Sequence, residues 1–71
     1  MPYANNTDLP VRVRKVLPLH AQDIYRAAFN NAFERYGREH EAIAHRIAWA
    51  AVKRQYVHRA AGFWVRREDV A

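Results

Sequence analysis

The sequence contains neither cysteine nor serine, and only two of its 71 residues are glycine. Without cysteine the chain has no disulfides, no thiolate metal ligands and no thiol nucleophile, a composition that fits a reducing compartment. The missing serine removes the commonest hydroxyl nucleophile, and two glycines are too few to build a phosphate-binding loop. These absences predict a protein that is not an enzyme and that uses no cofactor.

Long apolar stretches are also missing. No run approaches the roughly 20 apolar residues that a membrane-spanning helix requires, and residues 1–10 lack the basic and apolar regions of a signal peptide. A chain of 71 residues has room for one core and for no separate regulatory module. We therefore expect a single domain over residues 1–71, located in the cytoplasm.

The four histidines do not have the spacing of a metal site. His40 and His45 are five positions apart, so their side chains would diverge by about 140° on a helix. Two histidines that bind one metal ion from a single helix are four positions apart instead. We expect no metal site.

Acidic residues are absent from residues 42–67, although the chain as a whole carries seven of them and a formal net charge of +5. A surface with charge of one sign attracts phosphate, anionic lipid or an acidic protein. The alternative is a solvated helix face that binds nothing. The basic residues of this segment are the candidate partner-binding residues, namely Arg46, Lys53, Arg54, Arg59, Arg66 and Arg67.

Apolar spacing predicts a mainly α fold, a compact domain of three helices. Residues 11–14 alternate like a strand, but a short first helix accounts for more of the apolar residues, and Pro18 would end it. The second helix is predicted from residue 19 or 20 to Tyr36, with Gly37 as a left-handed exit. Its aromatic face, which we expect to form one wall of the core, comprises Tyr25, Phe29, Ala32, Phe33 and Tyr36.

The third helix is predicted from about residue 39 to residue 58 or 59, and Gly62 would interrupt it. Its apolar residues cover more than half of its circumference, which predicts that it is the most buried helix. Its main apolar strip comprises Ile43, Ala44, Ile47, Ala48 and Ala51. Phe63, Trp64 and Val65 follow as an extended segment, which we expect to pair with residues around Tyr3 in a small two-stranded sheet.

Aromatic and basic residues are interleaved in the last part of the chain. Arg59, Arg66 and Arg67 flank Phe63 and Trp64, and such a pattern is typical of surfaces that hold a nucleic-acid backbone and stack bases. The alternative, which we favour for Trp64, is that the aromatic residues anchor the core, because a small domain needs every large apolar group.

Three segments resemble the ChaB family of small bacterial proteins, namely MPYANNTDLP, VRKVLPLHAQDIYRAAFNNAF and IAWAAVKRQY. The match spans nearly the whole chain, with DLP, VLP, HAQDIY, AFN and AWAAVK in register. Leu19 stands where the family usually has serine, and the connection at residues 37–41 is short.

His20 and Gln22, at the entry of the second helix, are its only polar residues that we would test for function.

The resemblance implies a compact domain of about three helices with a small sheet. It also implies a regulator of cation transport, associated with a sodium/calcium–proton antiporter, and it supplies no catalytic residues. Similar proteins in insect viruses look like DNA-associated factors. The predicted partner is therefore a cation/proton antiporter or another protein with an acidic surface, and nucleic acid is the alternative.

Overall fold

A computed structural model describes residues 2–59 and 62–69. Three helices are followed by one antiparallel hairpin, and these elements are α1 (Val11–Val16), α2 (Leu19–Tyr36), α3 (Glu41–Gln55), β1 (Tyr56–His58) and β2 (Trp64–Arg66). Short 3₁₀ turns lie at Asn6–Asp8, Arg38–His40 and Arg67–Asp69. The predicted mainly α fold with three helices and a small two-stranded sheet is confirmed.

The junction between α1 and α2 is fixed by Pro18 and Gln22. Pro18 ends α1 because its ring cannot continue the helix, and its carbonyl accepts the first hydrogen bond of α2, from the Gln22 N–H at 2.9 Å. The buried Gln22 side chain donates to the Leu17 carbonyl at 2.8 Å. Gln22 therefore has a structural role at the junction of the two helices.

The core lies between α2 and α3, which form an antiparallel helical hairpin. α2 ends at Gly37, whose φ of +88° is readily adopted by glycine, and the 3₁₀ turn leads directly into α3. The buried apolar residues of this pair are Ala21, Tyr25, Phe29, Ala32, Ala44, Ala48 and Val52. Within the described ranges, no helix is long and apolar enough to span a membrane.

The buried row of α3 differs from the predicted strip. Ala44, Ala48 and Val52 face α2 and are 0% exposed, whereas Ile47 is 36% exposed. Alanine at the contact lets the two helices approach closely, and the aromatic rings of α2 fill the remaining volume. The helix is therefore rotated relative to the sequence-based prediction, and Ile47 lies at the edge of the interface.

The predicted end of α3 and the predicted sheet partner are both wrong. α3 ends at Gln55, and Tyr56 is already extended, with φ −127° and ψ 153°. Residues 56–58 pair with β2 in the register Tyr56↔Arg66, Val57↔Val65 and His58↔Trp64. Aromatic and β-branched residues favour this extended conformation. In the same segment Phe63 is 63% exposed, so Trp64 and Val65 pack against the protein while Phe63 does not.

The N-terminal segment docks on α2 and not on β2. Asn30 accepts a hydrogen bond from the Tyr3 N–H at 3.1 Å and donates to the Tyr3 carbonyl at 2.8 Å. The Tyr3 ring packs against Phe29, with 4.8 Å between ring centroids. Because one asparagine satisfies both backbone groups of Tyr3, this segment needs no strand partner.

Candidate partner-binding site

All six candidate basic residues are exposed, but the structure gathers only part of the set. Four of them meet near the end of α3, and we call Lys53, Arg54, Arg66 and Arg67 the basic cluster. Arg46 lies about two helical turns before Lys53 on α3. Arg59 directly follows β1, where its N–H donates to the Phe63 carbonyl at 2.7 Å.

One hydrogen bond holds the basic cluster together. The Arg67 Nε–H donates to the Lys53 carbonyl at 2.7 Å. This carbonyl belongs to the last turn of α3, where backbone oxygens have no partner within the helix, and the helix dipole favours a cation there. The chain beyond β2 is therefore tied to the C-terminal end of α3, which places Arg66 and Arg67 beside Arg54.

Three residues of the basic cluster line a depression of about 210 Å³, whose lining residues are Arg54, Gln55, Arg66, Arg67 and Glu68. Glu68 forms an ion pair with Arg66 at 2.9 Å, and both side chains are about half exposed or more. Such an exposed pair contributes little to stability. Across the described ranges no acidic side chain pairs with Lys53, Arg54 or Arg67, so the depression retains positive charge.

Arg54 also lines a second, larger surface, which we call the α2–α3 groove. This groove has a volume of about 380 Å³, and its lining residues are Ala28, Asn31, Ala32, Arg35, Tyr36, Ile47, Ala50, Ala51 and Arg54. Among the described residues, none that lines the groove is acidic. Because Arg54 borders both features, the basic cluster and the groove form one continuous surface.

Trp64 packs within the domain, as favoured from the sequence. Its ring stacks with that of Trp49 at 5.3 Å and with that of His58 at 4.9 Å, measured between ring centroids. Trp49 in turn meets Tyr25 edge to face at 5.1 Å, which links the hairpin to the core. The half-buried Trp64 ring is therefore engaged in contacts within the domain.

A row of polar groups that the sequence did not reveal connects the core to the surface. The buried Tyr25 hydroxyl hydrogen-bonds His45 Nδ1 at 2.5 Å, and His45 Nε2 lies 3.5 Å from Glu41 Oε1. Burial, followed by the nearby Tyr3 and Glu41, raises the pKa of Tyr25 from 10.0 to about 12. Tyr25 is 0% exposed, and its hydroxyl and His45 satisfy each other's hydrogen-bonding groups at the edge of the core.

The contact between Glu41 and His45 in this row could have been predicted from the sequence. Glu41 and His45 are four positions apart, the spacing that places two side chains together on one helix face. Tyr25 comes from another helix, so its position beside His45 depends on the packing of α2 against α3. Of the two polar residues at the entry of α2, Gln22 is structural and His20 remains exposed.

Comparisons with known proteins agree with this architecture. The ChaB family model matches residues 9–67. A protein of Escherichia coli strain K12 named "Putative cation transport regulator ChaB" is 48% identical, over 79% of this chain and 84% of its own length, and a protein of that name from Shigella flexneri gives the same values. The NMR solution structure of a protein with that name superposes with a TM-score of 0.84, at 43% identity, and covers 93% of this chain and 99% of its own. The chain belongs to the ChaB family.

Proposed function

We propose that this protein is a non-enzymatic regulator that acts in the cytoplasm by binding an acidic surface of a cation transporter through its basic cluster. The transporter class follows from the name of the relatives and from the resemblance to regulators associated with a sodium/calcium–proton antiporter. The observation that carries the proposal is the convergence of Lys53, Arg54, Arg66 and Arg67 at one end of α3.

Electrostatics supplies the binding mechanism. A cluster of cations accelerates encounter with an acidic surface and suppresses contact with basic ones. Arginine suits this task because its planar guanidinium binds a carboxylate through two parallel hydrogen bonds. The hydrogen bond from Arg67 to the Lys53 carbonyl keeps part of the cluster in place before a partner arrives. Arg46 and Arg59 extend the positive surface on either side along the chain.

The test is a titration against acidic peptides that copy the cytoplasmic loops of a sodium/calcium–proton antiporter. The double variant Lys53→Glu/Arg54→Glu is expected to bind at least about tenfold more weakly, equivalent to about 1.4 kcal/mol. The matched control is Arg12→Glu/Lys15→Glu, which changes the net charge equally at two exposed positions of α1. An equal loss in both variants, or no binding by the wild type, would overturn the proposal.

Duplex DNA is the second candidate partner, because the same basic cluster is suited to contacts with phosphates. This version relies on phosphate contacts and not on base stacking by Trp64, whose ring already stacks with Trp49 and His58. A mobility-shift titration at about 50 mM and 200 mM salt tests it, because counterion release makes affinity for DNA fall steeply with salt. The absence of a shift at the lower salt concentration would remove this candidate.

A further inference from the structure

We infer that the α2–α3 groove is the docking site for an amphipathic helix of the acidic partner, with Arg35 and Arg54 binding carboxylates that lie about two turns apart on that helix. The inference rests on the proposed function, because it specifies which segment of the same partner is bound and where. It adds Arg35, which lies outside the acid-free segment, and an apolar contact that the basic cluster alone does not provide.

The walls of the groove leave room for another element. Ala28 and Ala32 on α2 face the same space as Ala50 and Ala51 on α3, and these small side chains leave about 380 Å³ between the helices. Tyr36 and Ile47 also line the groove, and they are 41% and 36% exposed although both are large and apolar. An apolar ridge placed in this groove would remove that surface from water.

The occupant best suited to these walls is a helix. Both walls are α-helices whose backbone groups are bonded within each helix, so the groove offers no free strand edge to an extended peptide. An amphipathic helix satisfies its own backbone and places apolar side chains at positions i, i+3, i+4 and i+7 into such a groove. The lining stretches on α2 and α3 each span about two turns, or roughly 10 Å.

The charges at the groove ends select an acidic helix. Arg35 is next to the last residue of α2, beside the connection to α3, whereas Arg54 is next to the last residue of α3, at the far end of this antiparallel pair. Both are exposed, and within the described ranges neither forms an ion pair. A second copy of the same face would bring its own two arginines against this pair, so like charges disfavour a homodimer here.

The decisive experiment compares two lysine substitutions that change the net charge equally. Ala50→Lys places a long side chain in the groove, whereas Ala27→Lys places it on an exposed part of α2 outside the groove lining. The probe is a fluorescently labelled synthetic helix of about 18 residues, long enough to be helical. Its middle turns carry a leucine and alanine face with two glutamates about two turns apart, to match the spacing of Arg35 and Arg54 along the groove. Binding is followed by fluorescence anisotropy.

We expect Ala50→Lys to weaken binding of this probe at least about fivefold, because the added side chain blocks the groove. Ala27→Lys should bind as well as the wild type or slightly better, because it adds positive charge without blocking anything. Tighter binding by both variants would mean that the probe responds only to net charge, and it would overturn the inference. Circular dichroism and thermal melting verify that both variants retain the fold.

The two arginines are tested by pairing each substitution with a modified probe. Arg35→Gln and Arg54→Gln should each weaken binding about three- to tenfold, and the loss should shrink when the matching glutamate of the probe is replaced by glutamine. A loss that is the same for both probes would argue against direct contact.

Failure of this inference can be distinguished from failure of the proposed function. If the antiporter-loop peptides bind through Lys53 and Arg54 while Ala50→Lys leaves the affinity of the synthetic helix unchanged, the groove assignment is wrong and the proposed function stands. If the synthetic helix binds in the groove while the loop peptides do not bind, the antiporter assignment is wrong and the groove assignment stands.

Discussion

The two sides of the α2–α3 pair are built from different side chains and have different neighbours. On the aromatic side, Tyr3 packs on Phe29, Trp64 packs on Trp49, and α1 lies beside Tyr25. On the other side, the α2–α3 groove is lined by alanines and bordered by arginines. The large rings of the first side are covered by the chain itself, whereas the small residues of the second side leave an open groove.

This difference predicts that the residues that determine the stability of the domain are not the ones that determine its affinity for a partner. A domain of 71 residues is marginal, so the aromatic rings that its own chain covers contribute much of its stability. Alanines lose little when they stay near water, so a surface lined by them can remain open at small cost. Substitutions on the aromatic side should therefore reduce stability, whereas substitutions in the groove should mainly reduce partner affinity.

The largest effect is expected at Phe29, which is 1% exposed and contacts the rings of Tyr3, Tyr25 and His45. Phe29→Ala should lower the free energy of unfolding by about 3–5 kcal/mol, because it removes a buried ring and leaves a cavity. Urea denaturation followed by circular dichroism measures the change. Phe29→Leu, with a smaller loss, provides a measurable value if the alanine variant does not fold.

Asn30 is expected to have the next largest effect. Asn30→Ala removes both hydrogen bonds to the Tyr3 backbone and should cost about 1–3 kcal/mol of unfolding free energy. The adjacent Asn31 is exposed on the groove side, so Asn31→Ala is a matched control with little expected change. Equal stability of the two variants in urea denaturation would show that the N-terminal segment contributes nothing.

Tyr25→Phe should have a moderate effect that depends on pH. At neutral pH it removes the hydrogen bond to His45 and should cost about 0.5–1.5 kcal/mol. At alkaline pH the unfolded chain releases the tyrosine proton near pH 10, while the folded chain retains it until about pH 12. The wild type therefore binds more protons when folded, and its unfolding free energy falls as the pH rises through this window.

The alkaline part of this prediction is measured by urea denaturation between pH 9 and pH 12. One titrating group contributes a slope of at most about 1.4 kcal/mol per pH unit. Tyr25→Phe should lose that contribution, so its unfolding free energy should approach that of the wild type as the pH rises. Parallel pH profiles of the two proteins would contradict the raised pKa.

Ile47 is expected to have the smallest effect on stability. Ile47→Ala should lower the unfolding free energy by less than about 1 kcal/mol, because 36% of this side chain is already exposed. The same substitution should weaken binding of the synthetic acidic helix, because Ile47 lines the groove. A large loss of stability with unchanged affinity would reverse the distinction between the two sides.

The helices of the N-terminal half could be predicted from the sequence because their signals are local. Pro18 and Gly37 mark the boundaries of α2, and the apolar stripe that includes Leu9, Val13 and Leu17 marks α1. The ChaB motifs gave the same architecture independently. These signals depend only on the spacing of neighbouring residues, so they need no knowledge of tertiary contacts.

The rest of the fold depends on contacts between distant residues. Residues 56–58 continue the helical pattern of α3, and they become extended because β2 pairs with them. Tyr3 meets Asn30 across 27 positions of sequence. The rotation of α3 that exposes Ile47 follows from packing against α2, and periodicity alone does not determine it.

The candidate site was predicted only in part. The acid-free segment identified the four residues of the basic cluster, because a charge pattern can be read directly from the chain. It did not identify Arg35, which follows Glu34 in the sequence and joins the groove only through the packing of the two helices. Whether these surfaces bind a partner stays a prediction.

The most direct test of the account is an NMR titration of the wild-type protein with the synthetic acidic helix. We predict that the largest chemical-shift changes occur at the amides of Ala28, Ala50, Ala51 and Arg54. Signals from residues on the aromatic side should not shift. The indole N–H signals of Trp49 and Trp64 report on that side and should not move. Shifts concentrated at those indoles, with the groove amides unchanged, would contradict the assignment of binding to the open groove.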